Sequence, residues 1–135
     1  MSAHGQCLCE RIQYTVDAPL RDVVNCHCSR CRRSTGHFMA ATEARREDVH
    51  IEGDSLTWYA PVEGTEYGFC GECGSTLFWR TVRTPEVMSI AAGTLTPPTG
   101  LKTIAAIYRN YGSDYHGYDE TIPSYGEDSP DSPRV

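Results

Sequence analysis

Seven cysteines in 135 residues fall into three groups, and no other feature of the chain constrains its fold as tightly. They are Cys7 and Cys9 in "GQCLCE", Cys26, Cys28 and Cys31 in "NCHCSRCRRSTG", and Cys70 and Cys73 in "FCGECGS". An odd number leaves one thiol over if the rest pair as disulfides. The opening "MSAHGQCLCE" has no basic segment followed by an apolar stretch, so a cytoplasmic, reducing setting is expected. In such a setting clustered cysteines serve as metal ligands or reactive thiols.

Zinc accounts for the count. It takes four ligands in a tetrahedron, and a Cys-x-x-Cys turn presents two thiolates to one ion. "CGECG" is such a turn, with Gly71 and Gly74 expected at positive φ. In an extended segment residues i and i+2 share a face, which lets Cys7 and Cys9 meet one ion. Cys7, Cys9, Cys70 and Cys73 then form a closed four-thiolate site that ties the amino-terminal segment to a later hairpin. Cys26, Cys28 and Cys31 form a second set. Three thiolates leave a fourth position open, which is the stoichiometry of a catalytic or ligand-binding zinc. Two zinc ions per chain are expected. His27 falls on the opposite face of an extended segment and is assigned a supporting role. The competing partition builds one four-ligand site with His27 and leaves spare thiols.

The rest of the chain is punctuated by short β-branched and aromatic runs, at residues 11–16, 23–25, 38–43, 48–52, 56–60, 65–70, 76–81 and 86–93. Residues 104–110 fit a strand or a helix. A helical turn is expected after Cys28, with Ser29 as its cap. The fold class is therefore mainly β, with a short helical turn near the second cysteine group. A single domain over residues 1–125 is expected, followed by a disordered acidic tail of Pro and Ser at 126–135. The formal net charge of −6 argues against a nucleic-acid partner. The longest apolar runs are far short of the roughly 20 residues of a membrane span. Against the acidic total, Arg30, Arg32 and Arg33 flank the central cysteines, and they read equally as a solvated face or as an anion-binding rim. Trp58, Tyr59, Phe69, Phe78 and Trp79 are expected in the core, and the segment "YGSDYHGY" as a packed arm rather than a lid. His37 is expected near the surface, and His4, His50 and His116 in solvent.

Taken together, "GQCLCERIQYTV", "VNCHCSRCRRSTG", "FCGECGSTLFW" and the closing "SDYHGYDETIPSYGED" resemble the glutathione-dependent formaldehyde-activating enzyme family, also called centromere-protein-V-like. The resemblance runs over about residues 4 to 128. It implies small stacked antiparallel sheets of the beta-tent kind, stapled by zinc. It implies a structural zinc on Cys7, Cys9, Cys70 and Cys73, and a catalytic zinc on Cys26, Cys28 and Cys31. The activity it implies is a carbon–sulfur lyase reaction that joins glutathione and formaldehyde as S-(hydroxymethyl)glutathione. A thiol such as glutathione and a small aldehyde would be the partners. Arg30, Arg32 and Arg33 are then candidates to hold the glutathione carboxylates by bidentate hydrogen bonds.

Two other functions compete with this enzyme: a non-catalytic zinc module that binds a thiol or a protein, and a chromatin or cytoskeletal protein. The last of these calls for a basic extension, whereas the tail here is acidic. A thioredoxin-like role fits poorly, because "CGEC" is used with "CLC" and no βαβ pattern surrounds it.

Overall fold

The computed structural model describes residues 2–128, so the tail expected to be disordered lies outside the described residues from 129 onward. Ten strands and one short helix make up the framework: β1 (Ala3–Gln6), β2 (Gln13–Val16), β3 (Val23–Cys26), α1 (Ser29–Thr35), β4 (Met39–Arg45), β5 (Val49–Glu52), β6 (Leu56–Val62), β7 (Thr65–Cys70), β8 (Thr76–Thr81), β9 (Val87–Ala91) and β10 (Thr103–Ile107). β1, β2 and β5 form a three-stranded antiparallel sheet. The other seven form one sheet in the order β10-β3-β4-β9-β8-β7-β6, antiparallel except for the parallel β10–β3 pair. The stacked, mainly β architecture agrees with expectation. β1 was not foreseen, and the ambiguous segment near residue 104 is a strand.

The two sheets face each other across a core of Ile12, Tyr14, Val16, Leu77, Phe78, Met88 and Ile90, all buried. Tyr14 meets Phe78 edge-on at 5.1 Å between ring centroids, a favoured geometry for aromatic pairs. A register shift opposite Gly68 and Phe69 leaves Leu77 as an extra residue in β8, and both Leu77 and its neighbour Phe78 enter the core. Trp58 covers this layer from β6: it lies on Phe78, and Arg80 sits 3.6 Å from its ring centroid. Tyr59 departs from expectation, since its position on the other face of the edge strand β6 leaves it 62% exposed.

Strand alternation gives the large sheet two working faces. Even-numbered Met88 and Ile90 of β9 and Phe78 of β8 point into the core. On the opposite face, register aligns Glu43, Ser89, Trp79 and Tyr67 in one row across β4, β9, β8 and β7. Cys26 of β3 sits between Met39 of β4 and Ile107 of β10 on the same face. The outer edge of β10 is covered by the carboxy-terminal arm. Ala106 donates its amide to the Pro123 carbonyl and accepts from the amide of Tyr125.

Truncating Phe78 to alanine should remove the central ring of the core. The expected loss is about 3–5 kcal/mol of unfolding free energy, measured by urea denaturation with an unchanged m-value.

Candidate functional site

Two cysteine clusters form, and they are the two sets read from the sequence: Cys7, Cys9, Cys70 and Cys73 in one, Cys26, Cys28 and Cys31 in the other. Within each, the sulfurs lie within 4.8 Å of one another. Each cluster could hold a metal ion.

In the four-cysteine cluster Cys9 Sγ stands 3.7 Å from both Cys7 Sγ and Cys70 Sγ. A tetrahedral ion with sulfur ligands at 2.3 Å separates its sulfurs by about 3.8 Å, so Cys9 stands at the spacing of a filled tetrahedron from both Cys7 and Cys70. The local chain explains this. Residues 7–10 form a turn closed by the Glu10 amide on the Cys7 carbonyl, not the extended segment expected, and the turn brings the two sulfurs together. On the other side, Gly74 adopts φ 78 and donates its amide to the Cys70 carbonyl, which closes the Cys-x-x-Cys loop. Gly71 does not take positive φ. It is needed for space, because a Cβ there would lie 2.8 Å from Thr57 Oγ1. Hydroxyls and amides point at the sulfurs. Ser55 holds the Cys70 thiol below its ordinary range, and Ser75 brings Cys73 down to about 5. The amide of Ile12 donates to Cys7 Sγ.

The three-cysteine cluster is assembled by β3 and α1. Cys26 ends the strand, and the His27 amide extends the ladder by donating to the Ile107 carbonyl. Cys28 caps the helix, accepting the Cys31 amide at 3.3 Å on its sulfur; Ser29, the expected cap, is the first helical residue. Cys31 then returns one turn later, buried, with its sulfur 3.3 Å from Tyr67 Oη. Hydrogen bonds from Cys26 and Cys31 hold the Cys28 thiol down at about 2, whereas hydrogen bonding to Cys28 and then Cys31 drives Cys26 far up. A divalent cation among the three removes the like-charge penalty and lets all ionise.

This second cluster opens onto a cavity of about 510 Å³. The four-cysteine cluster lines no part of it. Met39, Ala41 and Trp79 form apolar wall, and Tyr67 and Ser89 add hydroxyls. Arg21 and Glu43 form a buried ion pair at 2.8 Å at one side. Arg83 and Thr84, which follow β8, also line the cavity, together with Tyr108, Tyr111 and Asp128 of the carboxy-terminal arm. Tyr108 has φ 56 and ψ 36, a left-handed conformation that costs a non-glycine residue roughly 1–2 kcal/mol. Strain of this kind persists where the surroundings impose it, often beside functional sites.

The sequence-predicted arginines separate. Arg30 lines the cavity. Arg32 donates to the Tyr111 carbonyl at 3.1 Å, and Arg33 is exposed on the last turn of α1. His27 is buried at 1% exposure and does not line the cavity. Its ring lies against Phe38, His116 and Tyr118, and burial first, then the charges of His116, His37 and Arg109, bring its pKa down to about 4. His116 and His37 were expected in solvent or near it. Instead both are half-buried in this ring cluster, 4.3 Å apart between centroids. The "YGSDYHGY" segment is thus a packed arm in its later half. Tyr67, Arg83 and Tyr108 escaped the sequence reading. No local signal marks any of the three, because each reaches the cavity through strand order or through the arm.

With this geometry in view, comparison with known proteins gives the class. Residues 2–111 match the family model described as glutathione-dependent formaldehyde-activating enzyme, and the chain belongs to that family. A crystal structure of a Rhodobacter sphaeroides protein is similar at 25% identity, with a TM-score of 0.56, over 90% of this chain and 98% of that one. Among curated proteins none matches the chain. Among the described residues no helix is long and apolar enough to cross a membrane.

Replacing Cys70 by serine should lower bound metal by about one equivalent per chain and lower the unfolding temperature by several degrees. Replacing Tyr67 by phenylalanine should leave the fold intact but weaken metal retention at the three-cysteine cluster about 10- to 100-fold, read by competition with a chelator.

Proposed function

We propose that the chain is a zinc-dependent carbon–sulfur lyase that joins glutathione to formaldehyde, or to a related small aldehyde, at the three-cysteine cluster. The observation that carries this reading is the contrast between the clusters. Four sulfurs gather at the edge of the core, with Cys7 and Cys70 buried and Cys9 3.7 Å from each of them, whereas three sulfurs stand at the wall of a cavity. The first set suits a structural zinc on Cys7, Cys9, Cys70 and Cys73, the second a catalytic zinc on Cys26, Cys28 and Cys31. When bound at the second set, zinc supplies an open coordination position and a charge that keeps a thiol ionised near neutral pH.

The chain's own residues do the rest. The turn of α1 holds Cys28 and Cys31 in place, and the Tyr67 hydroxyl hydrogen-bonds Cys31 Sγ and so moderates the charge on that sulfur. Met39, Trp79 and Ile107 exclude water around the incoming thiol. Arg30, which lines the cavity beside Cys28 and Cys31, holds one glutathione carboxylate, with Arg32 and Arg33 adding positive charge along the same helix. In the reaction the thiolate sulfur attacks the aldehyde carbon and a carbon–sulfur bond forms. The π pair of the carbonyl moves to oxygen, and the proton given up by the thiol completes the hydroxyl, so no redox partner is needed. His27 takes no part in that transfer, because its ring is enclosed by Phe38, His116 and Tyr118 and does not line the cavity. The reduced thiols require a reducing compartment such as the cytoplasm.

Exchange between formaldehyde, glutathione and their adduct, followed by NMR, tests the reading. Zinc-loaded protein should accelerate exchange above the spontaneous rate, and Cys28→Ser should abolish the acceleration while keeping the metal of the four-cysteine site. Glutathione binding with no acceleration would replace the enzyme by a thiol-binding module.

A further inference from the structure

Outside the cavity, three histidines from three segments meet in one cluster of rings. His27 follows β3, His37 precedes β4, and His116 belongs to the carboxy-terminal arm. His116 touches all the others. Its ring centroid lies 4.3 Å from His37, 4.7 Å from Tyr118, 5.4 Å from His27 and 5.7 Å from Phe38. His27 closes the group at 4.9 Å from both Phe38 and Tyr118.

The middle of the arm is held by these rings. Backbone hydrogen bonds tie residues 106–110 to residues 123–127, and Arg32 fastens the Tyr111 carbonyl. Between those ties, residues 113–118 make no hydrogen bond to another segment among the described residues. The buried hydroxyls of Ser113 and Tyr118 have no protein partner either. Ring packing therefore carries the docking of this stretch.

That packing suits neutral imidazole. The titratable and charged groups that face His116 are His27 at the end of β3, His37 ahead of β4, and Arg109 and Tyr118 of the arm. None supplies a negative charge near neutral pH. Arg109 stacks on the Tyr118 ring at 4.0 Å. The carboxylates close to His116 in sequence are engaged or exposed: Glu120 holds Arg109, Asp119 accepts from Thr121, and Asp114 is exposed. Among the described residues, ion pairing of a histidine to a carboxylate falls to His50, with Asp17, and not to these three. A proton on His116 would thus be partly shielded from water beside a cation, with no anion to offset it. Burial first, then His37 and Arg109, hold its pKa below the ordinary value. A ring that docks neutral and is free to charge when undocked has its full docking stability above the ordinary histidine pKa of about 6.5. It loses that stability as pH falls below this value.

We propose that His116 is an acid-sensitive latch: a proton on its ring releases residues 113–118 from His27, His37 and Phe38, while the bonded ends of the arm stay in place. Release uncovers His27, which stands between Cys26 and Cys28 in the chain. The latch does not depend on which reaction the cavity carries out.

The test is NMR of the full chain, loaded with zinc, between pH 7.5 and 5.5, reading the Overhauser contact between the rings of His27 and Tyr118. His27, held down to about 4, stays neutral across this window. In wild type the contact should be present at pH 7.5 and lose about half its intensity or more by pH 5.5, since uptake of one proton shifts undocking by up to about tenfold per pH unit. His116→Phe, which keeps a ring, and His116→Gln, which does not, should both retain the contact at pH 5.5. The Tyr14–Phe78 contact in the core should persist in all three proteins. A His27–Tyr118 contact that survives to pH 5.5 in wild type overturns the latch, as does one that fades equally in wild type and both variants. Loss of the Tyr14–Phe78 contact at the same pH also overturns it, because the whole fold would then be opening rather than the arm.

Discussion

Sulfur atoms gathered within 4.8 Å of one another cannot all be ionised at little cost without a cation among them. Most of this structure follows from that constraint, applied twice. At the first cluster the sulfurs of Cys7, Cys9 and Cys70 already stand at tetrahedral spacing. They join a turn at the start of the chain to the β7–β8 loop more than 60 residues later. Cys7 and Cys70 are buried in the same core as Tyr14 and Phe78, so cross-link and hydrophobic packing stabilise one another at a single place. A core of this size is modest, and a metal ion held by these four sulfurs would close a long loop and compensate for it. At the second cluster three sulfurs line a cavity wall, and among the described residues no fourth cysteine joins them.

Strand β7 shows how one short segment serves both. Cys70 and Tyr67 differ by an odd number of residues, so they point to opposite faces of the sheet. One completes the buried cluster, and the other donates toward Cys31 across the cavity. The row Glu43, Ser89, Trp79 and Tyr67 follows from the same parity across four strands. A one-residue slip in register would exchange core for cavity along that whole row. The Leu77 bulge prevents this in β8, since it lets Leu77 and Phe78 fill the core while Trp79 and Thr81 keep the parity of the cavity face.

The sequence carried the metal-ligand sets because spacing in the chain is a direct statement about which thiols can share an ion. It carried the strands because alternation and β-branched residues are local signals. What it did not carry is long-range. Nothing local marks Tyr67 as a partner for a cysteine 36 residues away, or Arg83 as a cavity residue, because both assignments depend on strand order. The histidines misled for a related reason. His37 and His116 lack ligand spacing, so solvent was the natural expectation, yet the arm folds back, stacks His116 on His27 and sets it edge-on to His37. Gly71 was assigned the right importance for the wrong cause. It admits Thr57 closely and does not need a left-handed backbone. The arginine run shows the limit of adjacency: three neighbouring residues on a helix point in three directions, and only Arg30 lines the cavity.

The carboxy-terminal arm ties these parts into one device. It covers the open edge of β10, whose partner β3 ends at Cys26, and its rings enclose His27 between the two cysteine ligands. From the same arm Tyr108 and Asp128 reach the cavity. A change that loosened the arm would therefore act on the cysteines from behind, through His27, and on the cavity from its mouth, through Tyr108. The two effects share one set of backbone bonds, those from residues 106–110 to residues 123–127. Ligand held at the cavity mouth and metal held at the cysteines should accordingly stabilise one another, because each fixes a different end of a segment that must be ordered for both. The left-handed strain at Tyr108 fits this account: it is sustained by the arm's own hydrogen bonds, and those are the bonds that both occupants reinforce.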